Sequence, residues 1–167
     1  MPPERREALA DVVRTQNLRL IEDDPYWLLE NEAPAPLALL APQHTCYIST
    51  LSKCLSPGLH TGFVQLPDGV SRQGVLDALR AVNLMAPPLM NALVTQLILD
   101  GSAQAMLKLV QEEAAERRYL AQSALSPQFL QHCAGVHAWC RLPTHWTAAS
   151  LTHAARLQGL AIAPSSA

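Results

Sequence analysis

Two short segments carry side chains whose types and spacing could perform covalent chemistry. The first, Glu22–Tyr26, holds carboxylates and a phenol, and the second, Thr50–Gly62, holds several hydroxyls and the amine of Lys53. Each has an ordinary interpretation by itself, since a lysine after a strand is usually solvated and Asp-Asp-Pro usually forms a turn or helix cap. Together they offer an amine that can form a Schiff base and a carboxylate that can keep a ring nitrogen protonated.

Both segments follow short apolar strands. The residue pattern predicts an amphipathic helix over 4–16, a strand over 18–21 and a second strand over 45–50. The proline-bracketed crossover 33–42 makes the connection long enough for parallel strands. In open α/β sheets the polar residues at the carboxyl ends of strands face the ligand crevice, so we expect the two segments to meet there.

A third strand, over 62–66, follows after a short loop that contains Pro57-Gly58. This loop is too short for a helical crossover, so we expect the third strand to run antiparallel to the second. Farther along, the pattern predicts helices over 74–85, 89–99 and 102–124, then a strand over 136–142, a helix over 147–158 and a strand over 160–163.

The predicted fold class is α/β: part of a mostly parallel sheet with one antiparallel strand, flanked by helices, and a long bridging helix that leads to a small, truncated α/β C-terminal domain. The predicted divisions are a large domain over 1–101, the bridging helix over 102–125 and the small domain over 126–167. Three strands are fewer than the ~5–6 of a typical sheet. We therefore expect the chain to be part of something larger.

The composition excludes several classes of function. Of the 167 residues, 49% are hydrophobic and 16% are charged, which suits a packed core. A formal net charge of −2 argues against a nucleic-acid-binding surface. No apolar run reaches the ~18 residues of a membrane span, and the N-terminus lacks the apolar region of a secretory signal. Four cysteines without a C-x-x-C pair fit reduced thiols, so we expect a cytoplasmic protein.

A metal site is not predicted. His132, Cys133, His137 and Cys140 lie close in sequence, but on a strand His137 and Cys140 point to opposite faces. Cys54 could be a reactive thiol beside Lys53, and the favoured interpretation is a small buried hydrophobe.

The two segments resemble the cofactor site of fold-type-I pyridoxal-phosphate enzymes. They are most similar to an aminotransferase subgroup with the motifs E-D-D-P-Y and S/T-x-S-K-x-x-x-P-G-L-R-x-G, which here are Glu22–Tyr26 and Thr50–Gly62. Members of this subgroup also form the C-terminal half of MocR-type regulators of the GntR class. The resemblance implies pyridoxal 5'-phosphate as the cofactor and extends over nearly the whole chain.

The resemblance also implies roles for individual residues. Lys53 would carry the cofactor as a Schiff base, Asp23 would pair with its pyridine nitrogen and Tyr26 would bind its phenolate oxygen. Thr50 and Ser52 would donate hydroxyls to the phosphate. The motif arginine, also a phosphate ligand, is replaced by His60, a shorter donor that is charged only part of the time.

The resemblance places other parts of such a site outside these residues. The glycine-rich phosphate turn would precede the first helix, and the arginine that binds the substrate carboxylate would follow residue 167. We therefore expect the chain alone to be inactive.

Two functions remain open, beside a third interpretation, a structural domain that has lost the cofactor, which His60 and the truncations keep in view. The chain is either the effector-sensing domain of a MocR/GntR-type transcriptional regulator or a fragment of a free-standing aminotransferase that acts on amino acids or 2-oxo acids. Both imply an amino acid or amine ligand and a homodimer, with no membrane partner. In the regulator, DNA would be bound by a separate N-terminal domain.

Overall fold

The structure is a computed structural model that describes residues 1–30 and 33–164. Its contacts divide the chain into two compact units, Met1–Glu113 and Ala114–Ala167. The first unit contains α1 (Pro3–Thr15), β1 (Leu20–Asp23), α2 (Leu37–Leu40), β2 (Thr45–Thr50), β3 (Gly62–Gln65), α3 (Arg72–Asn83), α4 (Pro88–Leu99) and the beginning of α5 (Ser102–Ala124). The boundary between the units falls inside α5, so the predicted division at residues 101 and 125 stays a prediction.

Three strands form a mixed sheet in the order β1-β2-β3. β1 runs parallel to β2, with Asp23 opposite Ile48, and β3 runs antiparallel to β2, with Gly62 opposite Thr50. The predicted mixture of parallel and antiparallel pairing is therefore confirmed, and β2 has its predicted bounds.

The first strand begins two residues later than predicted. Asn17 adopts a left-handed conformation with φ 49°, and the amide of Leu18 donates to the carbonyl of Val13 at 2.9 Å. Leu18 therefore closes the end of α1 in the manner of a helix C-cap and does not join the sheet. As a result the strand extends into the acidic segment, and Asp23 is its last residue.

Helices α1 and α2 cover one face of the sheet. Their buried core consists of Ala10, Val13, Leu37 and Ala41. Glu22 fastens α2 to β1, because its Oε1 accepts from the amide of Leu37 at 3.0 Å and its Oε2 accepts from the amide of Ala38 at 3.0 Å. Arg6 donates to the same carboxylate at 2.9 Å. A carboxylate at a helix N-terminus satisfies amides that the helix itself leaves unpaired.

Two helices follow the sheet, near their predicted positions. α3 begins two residues before the prediction because the hydroxyl of Ser71 accepts from the amide of Gly74 at 3.1 Å and caps the helix. Pro87 precedes α4, which starts at Pro88, where the fixed proline φ suits the first helical turn. α5 has its predicted bounds, and its bridging role stays a prediction.

The second unit contains the end of α5, a two-stranded antiparallel hairpin of β4 (Leu130–Ala134) and β5 (His137–Cys140), and α6 (Ala148–Leu157). The prediction of a strand over 136–142 is wrong in extent, and β4 was missed. The predicted strand over 160–163 is wrong, because Leu160 and Ile162 lie exposed outside any strand. A strand requires a hydrogen-bonded partner, and residues 160–163 pair with neither strand of the hairpin.

Within the described residues, no helix combines the length and the apolar character that crossing a membrane requires.

Candidate functional site

Asp23 and Thr50 lie on the same face of the sheet at the same end. Asp23 is opposite Ile48 in the parallel register, and Thr50 follows Ile48 by two residues. Side chains alternate between faces along a strand, so Asp23, Ile48 and Thr50 point to one side. The parallel register therefore brings the two segments together at the carboxyl ends of β1 and β2, as predicted.

A compact turn after β2 brings two hydroxyls into contact. Thr50 Oγ1 donates to Ser52 Oγ at 2.9 Å, and the amide of Ser52 donates to Thr50 Oγ1 at 2.9 Å. The hydroxyl of a threonine at the start of a turn often binds an amide two residues later. The turn therefore presents two hydroxyls side by side.

Lys53 is exposed on this turn, which is anchored by the buried residue that follows it. Cys54 is 1% exposed and packs with Leu29 and Leu107. The amide of Leu55 donates to the carbonyl of Leu51 at 2.9 Å, which closes one helical turn around Lys53. Burial raises the pKa of the Cys54 thiol above its usual value, so the interpretation of Cys54 as a small buried hydrophobe is confirmed.

Tyr26 is half-buried at the start of a short 3-10 helix, Trp27–Leu29. It packs against the core that anchors the lysine turn. Gln111 of α5 donates to the carbonyl of Leu28 at 2.6 Å. The position of Tyr26 is therefore fixed by the same core that supports Lys53.

His60 is exposed at the end of a second 3-10 helix, Pro57–Leu59. Its backbone is left-handed, with φ 44°, an uncommon conformation for a residue with a side chain. The amide of Leu51 donates to the carbonyl of Thr61 at 3.2 Å, which joins this loop to the lysine turn. His60 thus reaches the same end of the sheet, two residues before β3.

The structure therefore delivers the six predicted site residues to one end of the sheet. A direct hydrogen bond joins Thr50 to Ser52. The other four reach that end separately: Asp23 on β1, Tyr26 on the segment after β1, Lys53 on the turn after β2, and His60 on the loop before β3.

A hydrogen-bonded group on the opposite face was missed by sequence reasoning. Trp27 Nε1 donates to Ser49 Oγ at 3.0 Å, and Ser49 Oγ lies 3.5 Å from the carbonyl oxygen of Asp24. The carboxylate of Asp24 and the hydroxyl of Ser49 lie close enough to the phenol of Tyr47 to influence its pKa. The signal that could have found this group is the alternation in β2, which places Tyr47 and Ser49 on the face opposite Thr50.

Burial determines the protonation of this group. It raises the pKa of Tyr47 to about 12, with a further contribution from the negative charges of Asp24 and Glu22. Burial and the charge of Glu22 also raise the pKa of Asp24 above its usual value. Tyr47 is therefore protonated at neutral pH.

Over the described residues, no three or more histidine, cysteine, aspartate or glutamate side chains lie together as a metal site would require. In the hairpin, His137 lies opposite Ala134 and Cys140 lies opposite Leu130.

No protein-family model matches the chain. A search of known proteins finds an HTH-type transcriptional regulator of Bacillus subtilis, YdeF, at 30% identity over 97% of this chain and 35% of the regulator. It also finds a 2-aminoadipate transaminase of Thermus thermophilus at 29% identity over 98% of this chain and 44% of the transaminase. The chain thus spans about a third of the length of the regulator and less than half of the transaminase.

Among solved structures, the chain is similar to LysN, the α-aminoadipate aminotransferase of Thermus thermophilus, which was crystallised with N-(5'-phosphopyridoxyl)-L-leucine. The identity is 26%, the TM-score is 0.75, and the match covers 96% of this chain and 44% of LysN. The mixed sheet, the two motifs and these similarities agree. The chain is therefore a homologue of MocR/GntR-type regulators and of pyridoxal-phosphate aminotransferases, and it matches a segment that both kinds of protein share.

Proposed function

We propose that this chain is a pyridoxal-phosphate-binding, aminotransferase-like domain that senses an effector in a MocR/GntR-type transcriptional regulator. The observation that carries the proposal is the position of the Thr50–Lys53 turn. This turn follows β2 at the end of the sheet where Asp23 lies, and Thr50 points to the same face of the sheet as Asp23. An amine, two hydroxyls and a carboxylate are the groups that this cofactor requires.

The chemistry of these donors fits the cofactor. The adjacent hydroxyls of Thr50 and Ser52 can both donate to a phosphate oxygen, since each hydroxyl rotates to suit its acceptor. Asp23 is exposed and therefore free to accept from a protonated ring nitrogen. Lys53 is exposed on a turn that a buried core holds in place.

Each residue then has a distinct task in the proposal. Thr50, Ser52 and His60 hold the phosphate, Tyr26 donates to the phenolate oxygen, and Asp23 keeps the pyridine nitrogen protonated. Lys53 supplies the amine that attaches the cofactor. Bound pyridoxal phosphate acts as an electron sink for the carbon next to an amino group.

The similarity to a regulator over nearly the whole chain supports a sensing role. The replacement of the motif arginine by His60 also suits a sensor, which has no need of rapid turnover. The alternative is a fragment of a free-standing aminotransferase for amino acids or 2-oxo acids, and the similarity to the Thermus transaminase favours it. Amino-acid-dependent DNA binding by the full-length protein, without conversion of a 2-oxo acid, would favour the regulator, and the reverse result would favour the enzyme.

Absorption spectroscopy tests the cofactor site directly. Adding pyridoxal phosphate should produce a band between roughly 330 and 430 nm from the lysine-bound cofactor. The chain offers a matched control, since Lys53 and Lys108 are its two lysines. Lys53→Ala should abolish the band and Lys108→Ala should keep it. A band that survives Lys53→Ala would contradict the proposal.

The proposal includes a homodimer in the cytoplasm, with an amino acid or amine as the ligand. Ile21, on the same sheet face as Asp23, is 71% exposed, and apolar surface of this kind favours association. Sedimentation of the full-length protein at tens of micromolar should give a dimer. A purely monomeric profile would count against this part of the proposal.

A further inference from the structure

The hydrogen-bonded group on the back of the sheet has no task in the proposed cofactor site. It consists of Asp24, Trp27, Tyr47 and Ser49, which we call the strand clamp. Two of its members follow β1 and two lie in β2. The bond from Trp27 Nε1 to Ser49 Oγ, at 3.0 Å, connects these two segments, and so does the 3.5 Å contact of Ser49 Oγ with the carbonyl oxygen of Asp24.

The clamp lies on the face opposite the proposed cofactor residues. Tyr47 is opposite Glu22 in the parallel register, and Ser49 follows Tyr47 by two residues. Asp23 and Thr50 point to the other face because side chains alternate along a strand. The consecutive acids Asp23 and Asp24 therefore serve opposite sides of the sheet.

Each clamp residue outside Tyr47 is the sequence neighbour of a proposed cofactor residue. Asp24 follows Asp23, Trp27 follows Tyr26, and Ser49 precedes Thr50. The backbone adds a further bond, from the amide of Asp24 to the carbonyl of Ile48 at 2.9 Å. Because neighbouring Cα atoms are ~3.8 Å apart across a rigid peptide, a shift of one residue in such a pair moves the other.

We propose that the strand clamp positions Asp23 and Tyr26 relative to Thr50 and Lys53. This inference rests on the proposed cofactor site. The clamp touches no cofactor atom in this proposal, and its members are positioning residues. The tyrosine adds no charge to this face at neutral pH, because its pKa of about 12 keeps the phenol protonated beside the carboxylate of Asp24.

The test uses variants of the full chain that remove hydrogen-bonding groups of the clamp with little change of shape. Trp27→Phe removes the indole N–H, Ser49→Ala removes its acceptor, and the double variant removes both. Ser49→Thr keeps a hydroxyl and should restore the wild-type behaviour. Trp146→Phe, in the second unit, is the matched control.

The first measurement is amide hydrogen exchange over residues 22–28 without cofactor. Each single variant should speed exchange of the Asp24 amide about three- to tenfold, the effect of losing one hydrogen bond. The double variant should exchange no faster than Ser49→Ala alone, because Ser49→Ala already removes the acceptor of the Trp27 bond together with the contact between Ser49 and the Asp24 carbonyl. If the Asp24 amide exchanges at the wild-type rate in the single variants, or if the effects of the two substitutions add in the double variant, the strand clamp does not exist.

The second measurement is the pyridoxal phosphate titration of the same variants. The dissociation constant should rise about three- to tenfold, and the pH midpoint of the absorption band should move, since Asp23 and Tyr26 set the charge on the cofactor ring. Faster exchange with an unchanged dissociation constant and midpoint would show a merely structural bond and overturn the positioning role. Failure of the wild type to bind pyridoxal phosphate would instead overturn the proposed function, and the exchange data would still decide whether the clamp exists.

Discussion

Thr50 Oγ1 donates a hydrogen bond to Ser52 Oγ over 2.9 Å and accepts the amide hydrogen of the same residue at the same distance. This double contact fixes the backbone of the turn that presents Lys53. It also places two hydroxyls where one phosphate could accept from both. The turn can therefore be tested one hydroxyl at a time.

Thr50→Val removes the hydroxyl and keeps the branched shape. In the proposed site we expect pyridoxal phosphate to bind about tenfold or more weakly, because a hydrogen bond to a charged group contributes about 1.5–3 kcal/mol. The titration of the absorption band measures this change.

Thr45→Val is the matched control for this substitution. Thr45 is 2% exposed, and its Oγ1 has no hydrogen-bond partner within the described part of the chain. Replacing an unpaired buried hydroxyl by a methyl group should leave cofactor binding unchanged and leave the free energy of unfolding equal or higher. Equal cofactor affinity in the two valine variants would remove Thr50 from the site.

His60→Arg should tighten cofactor binding at pH 8. An imidazole is charged only part of the time near neutral pH, whereas a guanidinium is always charged and can bind a phosphate with two parallel bonds. We expect a decrease of about tenfold in the dissociation constant at pH 8. If both proteins bind equally at pH 8, His60 is not a phosphate ligand.

Glu22→Gln should destabilise the first unit by about 1–3 kcal/mol, since the carboxylate is 9% exposed and binds two amides of α2 together with Arg6. Asp11→Asn is the control, because Asp11 pairs with Arg14 but is 70% exposed, and exposed pairs contribute ~0–1 kcal/mol. Urea unfolding measures both. Similar losses in the two variants would contradict the fastening role of Glu22.

Because the pKa of Tyr47 is raised in the folded protein, we expect the free energy of unfolding to decrease at high pH. Its pKa is near 10 in the unfolded chain and about 12 in the folded one, so the folded state holds the proton more tightly. The contribution of Tyr47 is fully present below pH ~10 and is lost as the pH rises toward 12. Tyr47→Phe should flatten this decline, whereas Tyr119→Phe, which changes an exposed phenol, should not. Unfolding series from pH 9 to 12 measure the difference, and parallel curves would show that Tyr47 is not buried as described.

The parts of the fold that the sequence predicts well are those with strong local signals. β2 combines apolar and β-branched residues over Thr45–Thr50, and α5 follows Gly101 with a long helical pattern, so both have their predicted bounds. The parallel direction of β1 and β2 then follows from the long crossover between them. It brings Asp23 and Thr50 to the same end of the sheet, as the motifs imply.

The remaining features depend on contacts that no local pattern contains. β4 is polar at Gln131 and His132, and the signal that could have revealed the hairpin is Gly135, with φ 55°, at its turn. Residues 160–163 have an apolar strand pattern without a partner. The strand clamp needs Trp27 and Ser49 to meet across 22 residues of sequence, which only the tertiary structure shows.

Borohydride reduction in the presence of pyridoxal phosphate tests the central claim most directly, because it fixes the cofactor to the amine that holds it. Peptide mapping should find the label on Lys53, on its anchored turn, and not on Lys108, whose side chain is 76% exposed. Both lysines are exposed, so exposure alone would label both, and Lys108 makes the test stringent. Label confined to Lys53 is the predicted result. Label spread evenly over both lysines, or concentrated on Lys108, would contradict the account.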